Sequence, residues 1–99
     1  MRRGTTPTFV FVLPADTACF SDIEIVFVQN GKMILTVDQN DLILDGNEVS
    51  FVMSEEQSMA FSPSVNGEIQ IRLVAQDGTV LISEIRTFPV RKKYPEDIL

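Results

Sequence analysis

The chain has no histidine and no tryptophan, and only one cysteine and one tyrosine. Without histidine the usual general base and the commonest metal ligand are missing. Ser-His-Asp and Cys-His catalytic arrangements are therefore excluded. The single thiol, Cys19, rules out an internal disulfide and fits a chain made in a reducing cytoplasm. It has no cationic neighbour in sequence and reads as a packed or loop thiol. With Tyr94 as the one residue of its type and no indole, an aromatic platform for sugars is poorly supplied. No apolar run reaches bilayer length; the longest, residues 9–13 and 25–28, are strand-sized. Arg2 and Arg3 head the chain, but a short, proline-containing apolar stretch follows without a cleavage site, so no signal peptide is expected.

What is present is a 99-residue chain with 44% apolar residues, seven of them Phe, enough for one packed interior and too little for a cleft between lobes. Charge is uneven. The net charge is −6, yet five of eight basic residues, Arg2, Arg3, Arg91, Lys92 and Lys93, lie near the two ends. Residues 4–90 hold three basic residues against twelve acids, a net of −9. Such a body repels nucleic acid, and no basic patch with interleaved aromatics offsets it. The basic ends can instead reach an acidic surface such as a second copy of the body, or stay solvated.

The most informative stretch is residues 67–88, GEIQIRLVAQDGTVLISEIRTF. Ile69, Ile71, Leu73 and Ala75 alternate with Gln70, Arg72, Val74 and Gln76, which gives a strand one apolar face. Asp77-Gly78 supplies the positive-φ turn of a hairpin, and a hairpin with one apolar face needs a second layer. The rest of the chain provides it. Residues 1–7 (MRRGTTP) lack periodicity and read as an arm. Residues 8–13 are apolar on both faces, the pattern of a strand covered on both sides. Ile23, Ile25 and Phe27 share one face of the next strand, with Glu24, Val26 and Val28 on the other. Asn30-Gly31 then leads into a strand over residues 32–37. Residues 42–44 and 48–53 are strands joined at Asp45-Gly46-Asn47. Ser54-x-x-Gln57 is a capping box for one helical turn that Pro63 stops from growing. Residues 91–99 form a charged tail. About seven short strands at roughly 8–12-residue spacing predict one all-β domain over residues 1–99, an antiparallel sandwich with arms at residues 1–7 and 91–99. A small closed barrel is the structural alternative.

Candidate chemistry is sparse. Glu55 and Glu56 are adjacent and point apart at a helix start, where acids favour the dipole, so they cannot face each other across a sugar. Asp38, Asp41 and Asp45 lack the spacing of a calcium loop and are interrupted by Leu42, Ile43 and Leu44. No glycine-rich loop precedes a helix. No enzyme, cofactor or metal is expected.

Arg3-Gly4-Thr5-Thr6-Pro7, Gln29-Asn30-Gly31, Phe61 within SEEQSMAF, and the hairpin over residues 70–84 together resemble a family of short proteins. These are encoded in structural gene clusters of prophages of Gram-positive bacteria, and the resemblance runs from Arg2 to about Val90. More distantly the chain resembles the immunoglobulin-like N-terminal domain of phage baseplate upper proteins. The resemblance implies an immunoglobulin-like β-sandwich without activity that docks onto other virion or tail structural proteins. It would be made in the bacterial host cytoplasm and carried in the virion. The expected contacts are the two arms and the first strand: Arg2, Arg3, Thr5, Thr6, Pro7, Thr8, Val10, Val12, Arg91, Lys92, Lys93 and Tyr94. Extended arms can add a strand to a neighbour's sheet edge, so a homo-oligomer is expected, with neither nucleic acid nor membrane as partner. The alternative is a monomeric module that binds a host protein or a cell-surface glycan. Exposed apolar area at Val10, Val12, Val26 and Val28 separates the two: a contiguous patch favours assembly, a wet polar groove favours ligand binding.

Overall fold

The computed structural model describes residues 1–83 and 85–92. Among them eight strands and one helix follow one another: β1 (Thr8–Val12), β2 (Phe20–Gln29), β3 (Lys32–Asp38), β4 (Ile43–Asp45), β5 (Glu48–Val52), α1 (Glu55–Met59), β6 (Gly67–Ala75), β7 (Val80–Ile82) and β8 (Arg86–Phe88). Every strand pair is antiparallel.

The strands form two sheets, β1-β5-β4 and β3-β2-β6-β7, with β8 also on β6. In an immunoglobulin domain strands B, E and D lie in one sheet and C, F and G in the other, with C′ added beside C in variable-type domains. Placing β1, β4 and β5 as B, D and E, and β2, β3, β6 and β7 as C, C′, F and G, reproduces that order. The fold is an antiparallel, immunoglobulin-like sandwich, not a closed barrel. One strand of that pattern has no counterpart among the described residues, where nothing pairs with β1 in the place of A.

Eight strands replace the expected seven because the last one is interrupted. Arg72 pairs with Ile82 and Ile69 with Arg86, so the register on β6 steps by one residue between β7 and β8. Ser83 bridges the step. Its hydroxyl accepts from the Ile71 N–H at 2.9 Å, its own N–H donates to the Ile71 carbonyl, and Gln70 Nε2 donates to its carbonyl at 3.0 Å. A side chain thus substitutes for a ladder carbonyl where the bulge breaks register.

The turns follow the local chemistry. Asn30 and Gly31 both have positive φ, 51° and 73°, and close β2 onto β3 in a two-residue turn. Gly78 (φ 91°) ends a three-residue loop after Ala75, and Asp77 Oδ1 accepts from the Thr79 N–H at 2.9 Å. Both members of the capping box at Ser54 and Gln57 form.

The core lies between the sheets. Ile23, Ile25 and Phe27 of β2, Ile69, Ile71 and Leu73 of β6, and Val49, Phe51 and Met53 from β5 and its end are all buried. Phe27 is its hub, with the rings of Phe9, Phe51, Phe61 and Phe88 at centroid distances of 5.2, 5.8, 5.9 and 6.1 Å. Gly67 exists to admit Phe88: a Cβ there would stand 2.3 Å from the ring. Gln29 continues the inward parity of β2 and is 3% exposed. Its amide donates to the carbonyls of Ser62 and Val65 and accepts from the Ser62 N–H, tying down the loop between α1 and β6.

Candidate interaction surface

Hydrogen-bond direction alternates along a strand, so two known bonds fix which groups of β1 face β5. The Pro7 carbonyl accepts from the Met53 N–H at 2.9 Å, and the Leu13 N–H donates to the Asn47 carbonyl at 2.7 Å. Residues of that parity, Phe9 and Phe11 included, point their backbone groups at β5. Thr8, Val10 and Val12 therefore point theirs at the unoccupied edge, and no backbone bond from these three is found among the described residues. The same three side chains stand on the outer face of the sheet, with Val10 50% and Val12 71% exposed. Val52, opposite Thr8, and Ile43, opposite Ser50, extend this face and are 50% and 59% exposed.

Behind the edge the sandwich gapes. A hollow of about 220 Å³ lies between β1 and β7, lined by Phe11, Leu13, Ile71, Leu73, Leu81 and Ile82. A second, of about 170 Å³, lies between β1 and β8, against Phe9, Val10, Ile69 and Phe88. The flank where a first strand would sit is thus apolar, with Arg86 as its one charged lining residue among those described.

Residues 1–7, marked in the sequence as an arm, lie against the body. Arg2 forms a parallel bridge with Arg91, the Arg3 N–H donates to the Arg91 carbonyl, and the Arg91 N–H to the Met1 carbonyl. Arg2 Nη1 donates to the Lys92 carbonyl and Arg3 Nη2 to that of Met59. The Gly4 N–H donates to the buried Ser58 hydroxyl at 2.8 Å, which in turn donates to the Glu55 carbonyl. These are backbone-directed bonds, which leave no hydrophobic period for sequence reading to detect. Arg2, Arg3, Arg91 and Lys92 form a basic pole beside a polar depression of about 380 Å³, lined by Arg2, Ser64, Asn66, Arg91 and Lys92. The terminal ammonium is held below its ordinary pKa there, first by partial burial, then by repulsion from Arg91 and Arg2. Asp16, Asp38, Asp41, Asp45 and Asp77 lie in or beside the turns at the opposite pole.

The residues marked out by sequence thus fall into two groups. Arg2, Arg3, Arg91 and Lys92 gather at the basic pole; Thr8, Val10 and Val12 share the open edge. Thr5 and Thr6 are exposed between them, and Pro7 joins β1 to β5 through its carbonyl. Lys93 and Tyr94 lie outside the described residues. Val26 and Val28, expected on an outer face, are there but half-buried, beside exposed Ile85 in a hollow of about 90 Å³. Sequence reading missed Val52 and Ile43, which only the strand register brings beside Val10, and Ser64 and Asn66, which sit in a loop. Cys19 is exposed at the end of a 3-10 turn, and Glu55 and Glu56 occupy the first turn of α1. Asp38 caps another 3-10 turn through Asn40, and among the described residues no three potential ligands converge on a metal position. No described helix is long and apolar enough to cross a membrane.

No family model matches the chain, and no curated protein matches it. Among solved structures it is similar to the V domain of amphioxus IgVJ-C2, at 8% identity and a TM-score of 0.37, over 91% of this chain and 96% of that one. Strand order, not that likeness, makes this fold immunoglobulin-like.

Proposed function

We propose that the chain is a non-enzymatic structural or assembly module of a phage or prophage particle, of baseplate or tail type, acting through protein–protein contacts. The observation that carries the assembly half of this reading is the open edge of β1. Thr8, Val10 and Val12 present backbone groups that pair with nothing among the described residues, beside exposed Val52 and over an apolar flank. An uncovered apolar edge is a template for pairing with another chain. The particle half rests on the sequence resemblance of residues 2–90. Other virion or tail proteins are the partners this implies, with a passage from the host cytoplasm into the virion.

The polar depression at the basic pole favours a second reading, a monomeric module binding an anionic group on a host protein or glycan. One experiment separates them. Particles released from the encoding bacterium after prophage induction are purified and their proteins identified by mass spectrometry. The chain is expected at a copy number comparable to other structural components. Its absence from intact particles would sink the structural reading.

A further inference from the structure

The edge of β1, free among the described residues, differs from every other edge of the two sheets. On the far side of its own sheet, β4 is three residues long and carries Asp45. In the other sheet, β3 carries Lys32 and Asp38 and is bulged where Phe27 pairs with Leu35 but Val28 with Met33. The opposite edge is broken by the register step between β7 and β8. Short length, charge and bulges are the usual protections against edge-to-edge pairing. β1 has none of them: it reads TFVFV, without charge, proline or bulge, and pairs in continuous register along its five residues.

We infer that this edge binds β1 of a second copy, antiparallel, across a two-fold axis through Val10. The inference rests on the assembly reading above and names the partner. The hydrogen-bond pattern is self-complementary about that residue. With Val10 opposite Val10 of the copy, Thr8 meets Val12 and Val12 meets Thr8. All three positions present both N–H and C=O outward, so all three pairs close, giving about six hydrogen bonds. Registers shifted by two residues lose a pair.

Charge makes a second copy a compatible occupant. Two bodies of like charge meet at a strand that carries none. The nearest acid in the sheet is Glu48, opposite Val12 on β5. Across the new pairing it looks over Val12 to Thr8 and then Val52 of the copy, so no carboxylate faces another. Val10, Val12 and Val52 of both chains join into one apolar strip on a six-stranded sheet. The flank between β1 and β7 or β8 is covered by the neighbouring strand.

The test is solution mass by light scattering on the full chain, followed by edge variants. The wild type is expected at twice the mass of one chain. Val10→Pro removes the central outward N–H and leaves the pairing to β5 intact, since that N–H points away from β5. It is expected to fall to the mass of one chain with an unchanged circular dichroism spectrum and unfolding midpoint. Val10→Lys, which keeps the N–H and adds a charge on the axis, is expected to do the same even if proline disturbs the fold.

Register is read by cross-linking in a Cys19→Ser background. Val10→Cys is expected to form a disulfide dimer on mild oxidation, because opposed hydrogen-bonded residues lie about 5.5 Å apart at Cα. Thr8→Cys alone is expected to form at least tenfold less, and to cross-link when mixed with Val12→Cys. A wild-type chain of single mass overturns the inference, as does a dimer that survives both Val10 variants or cross-links equally at positions 8 and 10. Failure here is distinct from failure of the assembly reading. A monomer found in purified particles overturns only the self-pairing, leaving the edge to a strand of another particle protein.

Discussion

The two sheets of this sandwich are built to different specifications. The sheet holding β2 and β6 has strands of ten and nine residues that pair along most of their length, and its margins are charged, bulged or stepped. The sheet holding β1 has strands of five, five and three residues and leaves an uncharged margin open. Both sheets contribute to the core, but only the smaller one has a margin without charge, bulge or step. β3 is blunted by charge and a bulge and β1 is not, and this is the asymmetry on which the pairing proposed above rests.

That contrast can be broken or sharpened by substitution, beginning where the effect is largest. Phe27→Ala removes the ring on which Phe9, Phe51, Phe61 and Phe88 converge. It is expected to cost about 3–5 kcal/mol in chemical denaturation, because both sheets pack on that ring. A loss below about 1 kcal/mol would mean that the sheets do not share this core. Gln29→Leu leaves the Ser62 N–H and the carbonyls of Ser62 and Val65 without their partner. The expected cost is about 1–3 kcal/mol, together with faster amide exchange in residues 62–66 and unchanged exchange in β1.

Gly67→Ala drives a Cβ against a Phe88 ring that Phe9 and Phe61 already hemmed in, at centroid distances of 5.4 and 5.9 Å. Overpacking there is expected to cost roughly 1–3 kcal/mol, and thermal melts with the double variant Gly67→Ala/Phe88→Leu should recover part of it. The smallest effect belongs to Asp77, whose carboxyl is held below its ordinary 3.8 by hydrogen bonds from Thr79. A lowered carboxylate pKa contributes stability that is present above the unfolded value and lost as pH falls through the folded one. The unfolding midpoint should therefore dip slightly below pH 3.8, and Asp77→Asn should remove that component of the slope.

Much of the fold was legible because its signals are local. Asn30-Gly31 requires two positive φ values, Ser54 and Gln57 satisfy each other's backbone across one turn, and alternation in β6 sorts Ile69, Ile71 and Leu73 from Gln70 and Arg72. Gln29 was readable in principle, since it breaks an otherwise apolar parity after Ile23, Ile25 and Phe27. The interruption between β7 and β8 was not, because Ser83 fits a strand as well as a bulge and only its bond to Ile71 distinguishes them. The docking of residues 1–3 onto residues 89–92 was hidden for a related reason: backbone pairs impose no side-chain pattern. At the candidate surface, the sequence marked Val10 and Val12 as apolar on the outer side of their strand. It could not say that no described strand lies beside them, which is a property of the whole topology.

The parallel bridge between Arg2 and Arg91 has a consequence for how the chain can be handled. It brings residues 89 sequence positions apart into contact and makes the described backbone a nearly closed circuit. A circuit can be opened anywhere its wiring is slack. Linking Lys92 to Met1 across the basic pole and cutting at the exposed Asp77–Gly78 turn would yield a circular permutant of the described residues with every strand pair retained. New ends would then emerge at the acidic pole, offering attachment points there without altering β1.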